Sequence, residues 1–236
     1  MRTIILLAML SLIVSPAFAQ KYISWEAEDF SDSKGATFEV FNVPTDHPGT
    51  PDAAPPVEDY SVTEASGGAY IGSHNGTAND GGDWVKYEFT VDADNWHFWG
   101  RVIAPSVSDN SVFWAFDTAD GDIESANNAT MNIWDFFEVE SLRVNYTTDW
   151  VWFRLNTRDG PFEGTELVQH GDDPVPVELA AGDHTLHIAH RESGTYIDKI
   201  FATTDAEFDA NETDPQTAVE AQNKLTTTWG ALKGGF

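Results

Sequence analysis

Glu26 and Glu28, two residues apart in Ile23-Ser24-Trp25-Glu26-Ala27-Glu28, are the first side chains whose spacing suggests chemistry. An extended backbone sends alternate side chains to opposite faces. Ile23, Trp25 and Ala27 then form an apolar stripe, and the two carboxylates stand together on the other side. Like charges so placed repel. A hard, oxygen-liganded cation such as calcium relieves that, and so does solvent at an exposed edge, so the pair has two readings. A second constellation is aromatic. Asp149-Trp150-Val151-Trp152-Phe153 puts Trp150 and Trp152 on one face and Val151 and Phe153 on the other, and one of those faces must be core. An indole left outside is a platform for a flat ring. Stacking on an aromatic side chain is worth ~1–3 kcal/mol, whereas a 1 mM affinity already corresponds to about −4 kcal/mol, so a single platform binds weakly. His184, His187 and His190 invite a metal reading and refuse it. On a strand His184 and His190 lie about 20 Å apart and His187 points the other way, which fits no tetrahedral site. They read as surface or turn histidines, with Arg191-Glu192 as an exposed ion pair of little energetic weight.

The elements that must position these residues have period two. Trp84 to Val91 alternates, with Val85, Tyr87, Phe89 and Val91 on one face and Lys86, Glu88 and Thr90 on the other. Further strands are expected over residues 22–28, 37–43, 96–103, 111–117, 151–155, 175–179, 184–190 and 196–203. They are separated by turn chemistry such as Asp80-Gly81-Gly82-Asp83, Asp120-Gly121 and Ala181-Gly182-Asp183. Many short strands without a long amphipathic helix predict an all-β, antiparallel jelly-roll β-sandwich. Two segments break the rhythm: the proline-rich Pro44–Val62 and Asp120–Tyr146, both read as long surface loops of the kind that often carry function.

Composition narrows the function. The chain has 236 residues, 39 acidic against 12 basic side chains, a net charge of −27 and no cysteine. Such a surface repels phosphate backbones, which excludes nucleic acid as a partner. The lack of cysteine removes disulfides, thiol nucleophiles and thiolate metal sites. Arg2, the apolar run Ile4–Val14 and Ala17-Phe18-Ala19 read as a signal peptide, cleaved after Ala19. The run is too short to span a bilayer. The expected organisation is therefore a leader at 1–19, one β-sandwich at 20–206 and a C-terminal tail at 207–236, partly helical, with Trp229 as a candidate anchor. The chain has neither a Gly-x-Ser-x-Gly nucleophile motif nor a phosphate loop nor a dinucleotide fingerprint. The Asn-x-Thr triplets at Asn75, Asn128, Asn145 and Asn211 are read as chance.

The ordered set of motifs resembles a family. Trp25-Glu26-Ala27-Glu28, then Gly68-Ala69-Tyr70-Ile71-Gly72, Gly82-Asp83-Trp84-Val85-x-Tyr87, Gly182-Asp183-His184-Thr185-Leu186 and Ile197-Asp198-x-Ile200 is similar to carbohydrate-binding modules of families 6 and 35. The resemblance spans roughly residues 22–205 and implies a galactose-binding-like β-sandwich. It also implies a structural calcium held by Glu26 and Glu28, with Asp205 as the matching acid after the last strand. In family 6 the sugar often lies on loops at one end, between two aromatics, beside an asparagine just before the final Ile-Asp. This chain has Tyr196 there. The residues expected at the sugar are Trp150, Trp134 in the long loop and Tyr196, with Asn156 and Asp159 as polar neighbours.

The reading is an exported, calcium-stabilised module that binds carbohydrate without cleaving it, with neutral or basic glycans favoured by the acidic surface. The alternatives are an envelope or matrix protein that uses the same scaffold and associates through its tail, and, third, a polysaccharide lyase or glycoside hydrolase. Binding predicts an exposed tryptophan beside polar groups, assembly a large apolar patch or a self-complementary edge, and catalysis a deep cleft with converging ionisable groups.

Overall fold

A computed structural model describes residues 21–53, 56–73, 82–106, 108–123, 131–136, 147–157 and 176–215. They form an antiparallel two-sheet sandwich. The strands are β1 (Tyr22–Glu26), β2 (Asp32–Lys34), β3 (Glu39–Asn42), β4 (Thr45–His47), β5 (Tyr60–Val62), β6 (Ala69–Gly72) and β7 (Trp84–Val91). They continue with β8 (Asp94–Ala104), β9 (Ser111–Phe116), β10 (Asn132–Asp135), β11 (Thr147–Arg154), β12 (Val177–Leu179), β13 (Gly182–Ala189) and β14 (Tyr196–Thr203). One sheet runs β11-β8-β14-β6-β3, with β1 on β14 and β12 on β8; the other runs β10-β9-β13-β7-β2. β4 and β5 make a two-stranded sheet of their own.

The core between the sheets follows the alternation in the sequence. Val85, Tyr87 and Val91 of β7 meet Trp96, Phe98 and Val102 of β8, and Ile23 and Trp25 of β1 pack against them. Val151 and Phe153 are the core face of β11, so Trp150 and Trp152 point outward. The close approach of the sheets is set at Gly100. A Cβ there would stand 2.7 Å from the Trp134 ring, so only glycine admits that indole.

Alternation fails once in β14, and the failure matters. Register slips between Ile197 and Lys199, a bulge that turns both Ile197 and Ile200 into the core. Asp198 and Lys199 in consequence both serve the outer face, where they meet Arg101 and Glu26.

Both segments read as long loops contain strands. Within the first, Thr45–His47 and Tyr60–Val62 pair as β4 and β5, and Asn132–Asp135 is β10, an edge strand paired to β9. β2 and β6 were also not expected. Residues 207–215, assigned to the tail, pack on the sandwich: Phe208 and Ala210 cluster with Trp99 and Phe201. The leader, Asp159 and Trp229 lie outside the described residues.

Candidate functional site

The outer face of the seven-stranded sheet holds three zones. At one end Trp99 and Phe201 are covered by residues 205–215. At the other, Phe41, Tyr70, Ile103 and Tyr196 are covered by the hairpin. Between them the register aligns Trp152, Arg101, Lys199 and Glu26 in one transverse row across β11, β8, β14 and β1. The charges in this row are paired. Arg101 donates to Asp198, whose side chain is fully buried, and Asp198 also accepts from the Ser66 N–H at 2.7 Å. Lys199 donates to Glu26 Oε1 at 2.8 Å and to Ser66 Oγ at 3.1 Å. Burial raises the Asp198 carboxyl, against the opposing pull of Arg101 and Ser66.

Trp150 lies beside this row, half-buried. Its indole N–H donates to Glu64 O at 2.5 Å, its edge meets Tyr70 at 5.4 Å between centroids, and the Arg101 guanidinium lies 5.4 Å from its ring centroid. The side chain is thus oriented by a hydrogen bond, an aromatic edge and a cation, and it still reaches solvent.

Three other residues expected at the sugar are buried in this structure. Trp134 is fully buried in the core and donates to Arg154 O at 3.1 Å, so it presents no face to a ligand. Sequence reasoning placed it in a loop because the short β10 has no second alternating neighbour to reveal it. Asn156 spends its amide on structure: Nδ2 donates to Asp135 O and Oδ1 accepts from Asp135 N–H, which extends the β10 edge by imitating a backbone. Tyr196 does join the cluster that holds Trp150, but at 0% exposure. Its hydroxyl bonds His47 Nδ1 at 2.9 Å, while His47 Nε2 bonds the Tyr70 hydroxyl at 2.6 Å. Nothing in the sequence marked His47, a buried polar ring between two tyrosines. It sits in a proline-rich segment with no periodicity to signal burial.

The carboxylate pair is partly as expected. Glu26 Oε2 and Glu28 Oε2 are both buried without a hydrogen-bond partner in the structure. Both side chains crowd Gly67, where a Cβ would stand 2.8 Å from Glu28 Oε1 and 3.5 Å from Glu26 Cδ, and Gly67 itself has φ +68°. Burial raises the Glu28 carboxyl; its own backbone N–H opposes this, and the charges of Glu26, Asp198 and Asp29 add to it. Two adjacent orphaned carboxylate oxygens fit a hard cation, with Lys199 already neutralising part of the charge. Asp205 does not belong to that set. Antiparallel pairing puts Tyr22 opposite Thr203 and Glu26 opposite Lys199, so Asp205 lies more than about 13 Å from Glu26 along the strand. There it organises the following turn by accepting from Glu207 N–H at 3.1 Å. The acid near the pair is Asp198.

The histidines also need correction. His187 and His190 are each 1% exposed. His187 packs edge-on against Trp84 at 5.0 Å and bonds Asp120 at 2.9 Å, and burial lowers its pKa. His184 bonds Asp117 through one nitrogen and Ala180 O through the other, and the Asp117 bond leads in raising its pKa. It lines an open depression of about 540 Å³ with Glu88, Phe89, Thr90, Asp117, Asp183 and Thr185. Arg191 and Glu192 do pair, and Glu192 further accepts from Ser111 Oγ and Asn110 N–H. Among the described residues no cluster of three or more His, Asp or Glu side chains is set to hold a metal, and no helix is long and apolar enough to cross a membrane.

No family model and no curated protein matches the chain. Solved structures similar to it include carbohydrate-binding modules, and also parts of larger polysaccharide-active enzymes such as an isomalto-dextranase from Arthrobacter globiformis, 11% identical over 77% of this chain and 23% of that one at a TM-score of 0.41. The C-terminal family 6 module of a marine laminarinase from Zobellia galactanivorans is 15% identical, with 78% of this chain and 99% of that one covered at a TM-score of 0.40. A family 35 module from Clostridium thermocellum is 9% identical over 77% and 97%, at 0.40. A β-1,3-glucan-binding family 6 module from Bacillus halodurans is 16% identical over 76% and 93%, at 0.39.

Proposed function

We propose that this protein is an exported, non-catalytic carbohydrate-binding module that takes uncharged glycans at Trp150. The observation that carries the reading is Trp150 itself: a half-buried indole fixed by Glu64 O, Tyr70 and Arg101, beside a row of polar side chains. A pyranose ring has an apolar face for the indole and hydroxyls that can donate and accept along the row. The row's cations are already paired with Asp198 and Glu26, and the chain carries a net charge of −27, so a polyanionic glycan gains little there. The ordered motifs from Trp25 to Ile200 support the same reading. Among the described residues Val40, at 45% exposure, is the large apolar side chain left on the surface, and one such residue makes no apolar patch there.

Calcium is part of the proposal. Glu26 and Glu28 would hold it through their orphaned oxygens, and it would supply charge neutralisation where β1 ends against β14. A cation bound only by the folded state stabilises by mass action. The test is titration of the calcium-loaded protein with soluble β-1,3-glucan, β-1,4-glucan, mannan and xylan oligosaccharides, followed by tryptophan fluorescence. Binding to one class, weakened about tenfold or more in Trp150→Ala with the fold intact, is expected for one lost stacking contact. Absence of binding to any of them, or unfolding of Trp150→Ala, would overturn the assignment.

A further inference from the structure

We propose that the β4–β5 hairpin is a strap that fills a second aromatic site of this chain with its own His47, and that a pyranose ring displaces it. The proposal rests on the carbohydrate reading and adds to it a site and a means of regulating it.

The argument starts from how His47 is held. Its ring lies 4.3 Å from the Tyr196 centroid, 5.3 Å from Phe41 and 6.0 Å from Tyr70, rings of the sandwich, and 5.4 Å from Tyr60 of its own hairpin. Each ring nitrogen meets a tyrosine hydroxyl. The chamber thus offers aromatic walls and two hydrogen-bonding hydroxyls to a small polar ring, and the chain supplies that ring itself. The chamber is continuous with Trp150 through the Tyr70–Trp150 contact, so a glycan on Trp150 has the next site beside it.

The hairpin is built to lift. Thr45 to His47 pair with Tyr60 to Val62, and this ladder is separate from both sheets of the sandwich. Side chains join 45–62 to the sandwich: His47 bonds Tyr70 and Tyr196, Thr50 donates to Asp109, Thr45 donates to Asn42 O, and Val62 and Tyr60 pack on the same rings. Opening therefore leaves every rung of the seven-stranded sheet in place, whereas a lone two-stranded hairpin has little stability of its own. A ligand that needs the open form binds with its affinity divided by the closed form's dominance, and a variant that favours opening recovers the difference.

The experiment compares the wild-type protein with His47→Ala and His47→Gln, the second keeping hydrogen-bonding groups without the ring. Each is titrated with the four neutral oligosaccharides, and amide exchange of residues 45–62 is measured with and without sugar. The expected result is tighter binding in both variants, about tenfold or more in His47→Ala, and faster exchange of 45–62 in the wild-type protein when sugar is added. If His47→Ala does not fold, His47→Gln and the wild-type exchange still decide. Equal or weaker binding by folded variants, with exchange of 45–62 unchanged by sugar, sinks the strap and leaves Trp150 as the binding site. No binding by any form sinks the carbohydrate reading and the strap with it.

Discussion

Residues 205–215 cover Trp99 and Phe201 at one end of the seven-stranded sheet's outer face, and the β4–β5 hairpin covers Tyr70 and Tyr196 at the other. Both covers bury aromatic rings, but they are joined to the sandwich differently. The 205–215 cover continues directly from β14, and it is stitched to the edge strand β11 by Asn211, whose side chain accepts from Trp152 N–H at 3.1 Å and donates to Trp152 O at 3.0 Å. Arg154 adds a bond to Ala206 O. This cover behaves as an extra partial strand. The hairpin follows β3 just as closely but keeps its ladder to itself; it meets the sandwich through the packing of Val62 and Tyr60 and through side-chain bonds of Thr45, His47 and Thr50. The difference suggests that one cover belongs to the folding unit and the other is a separable part resting on it.

The largest effect expected from breaking this contrast is at Phe208, whose ring lies 5.0 Å from Phe201 and 5.9 Å from Tyr22. Phe208→Ala should cost about 2–3 kcal/mol of global stability, read as a lower denaturation midpoint with unchanged slope. Asn211→Ala comes next. It strips two backbone-like hydrogen bonds from an edge strand and should cost about 1–2 kcal/mol. If either variant loses only local protection in 205–215 at full global stability, that cover is as separable as the hairpin and the contrast fails. The same bonds make Asn211 a poor acceptor for a glycan, because its amide is already committed on both sides.

A smaller effect is expected between the two covers, at Glu28. Its folded pKa is raised by burial, so without calcium the native state holds its proton more tightly than the unfolded chain does. The slope of stability with pH then carries a negative contribution: the stability Glu28 gives is present at low pH and is lost as pH rises through its raised pKa. Calcium requires the ionised form, so the calcium-induced rise in Tm should grow with pH over that window. A calcium shift that is absent, or independent of pH, removes the cation from this pair. Glu28→Gln should abolish the calcium shift and flatten the pH dependence seen in chelator.

What the sequence disclosed and what it hid divide along the same physical line. Period-two alternation placed β7, and it assigned Ile23 and Trp25 to the core and Glu26 to the opposite face, because a strand with one buried side writes its pattern locally. The pair Trp150 and Trp152 was likewise placed on one face. Trp134 was misplaced because β10 is four residues long and its burial depends on Gly100 in another strand. Asp205 was assigned by its position after the last strand, yet antiparallel register carries it to the far end of β1. Asp198 became the neighbouring acid through a bulge, an insertion that no local alternation announces. His47 was hidden most completely. Its environment is made by residues up to 149 positions away, in a segment whose prolines read as irregular. Trp150 and the Glu26–Glu28 pair were legible with the elements, because local alternation places them; Asp198 and His47 depend on long-range pairing and were not.

The smallest effect expected is at the tip of the hairpin, and it sharpens the contrast most. Thr50 Oγ1 reaches Asp109 Oδ2 at 3.4 Å, while Ser106 Oγ holds the same oxygen at 2.5 Å. Burial raises the Asp109 carboxyl and both hydroxyls oppose that, so Thr50→Val should push it further up while Ser106 keeps it bonded. Global stability should therefore change by no more than about 0.5 kcal/mol, as for a long bond with a second partner in place. Amide exchange within 45–62 should nonetheless quicken, because an anchor of a separate ladder has been cut. Asn211→Ala should do the reverse, lowering stability throughout the sandwich as well as locally. If Thr50→Val lowers the global midpoint as much as Asn211→Ala does, the hairpin unfolds with the sandwich, and it is then no more separable than the segment at the other end.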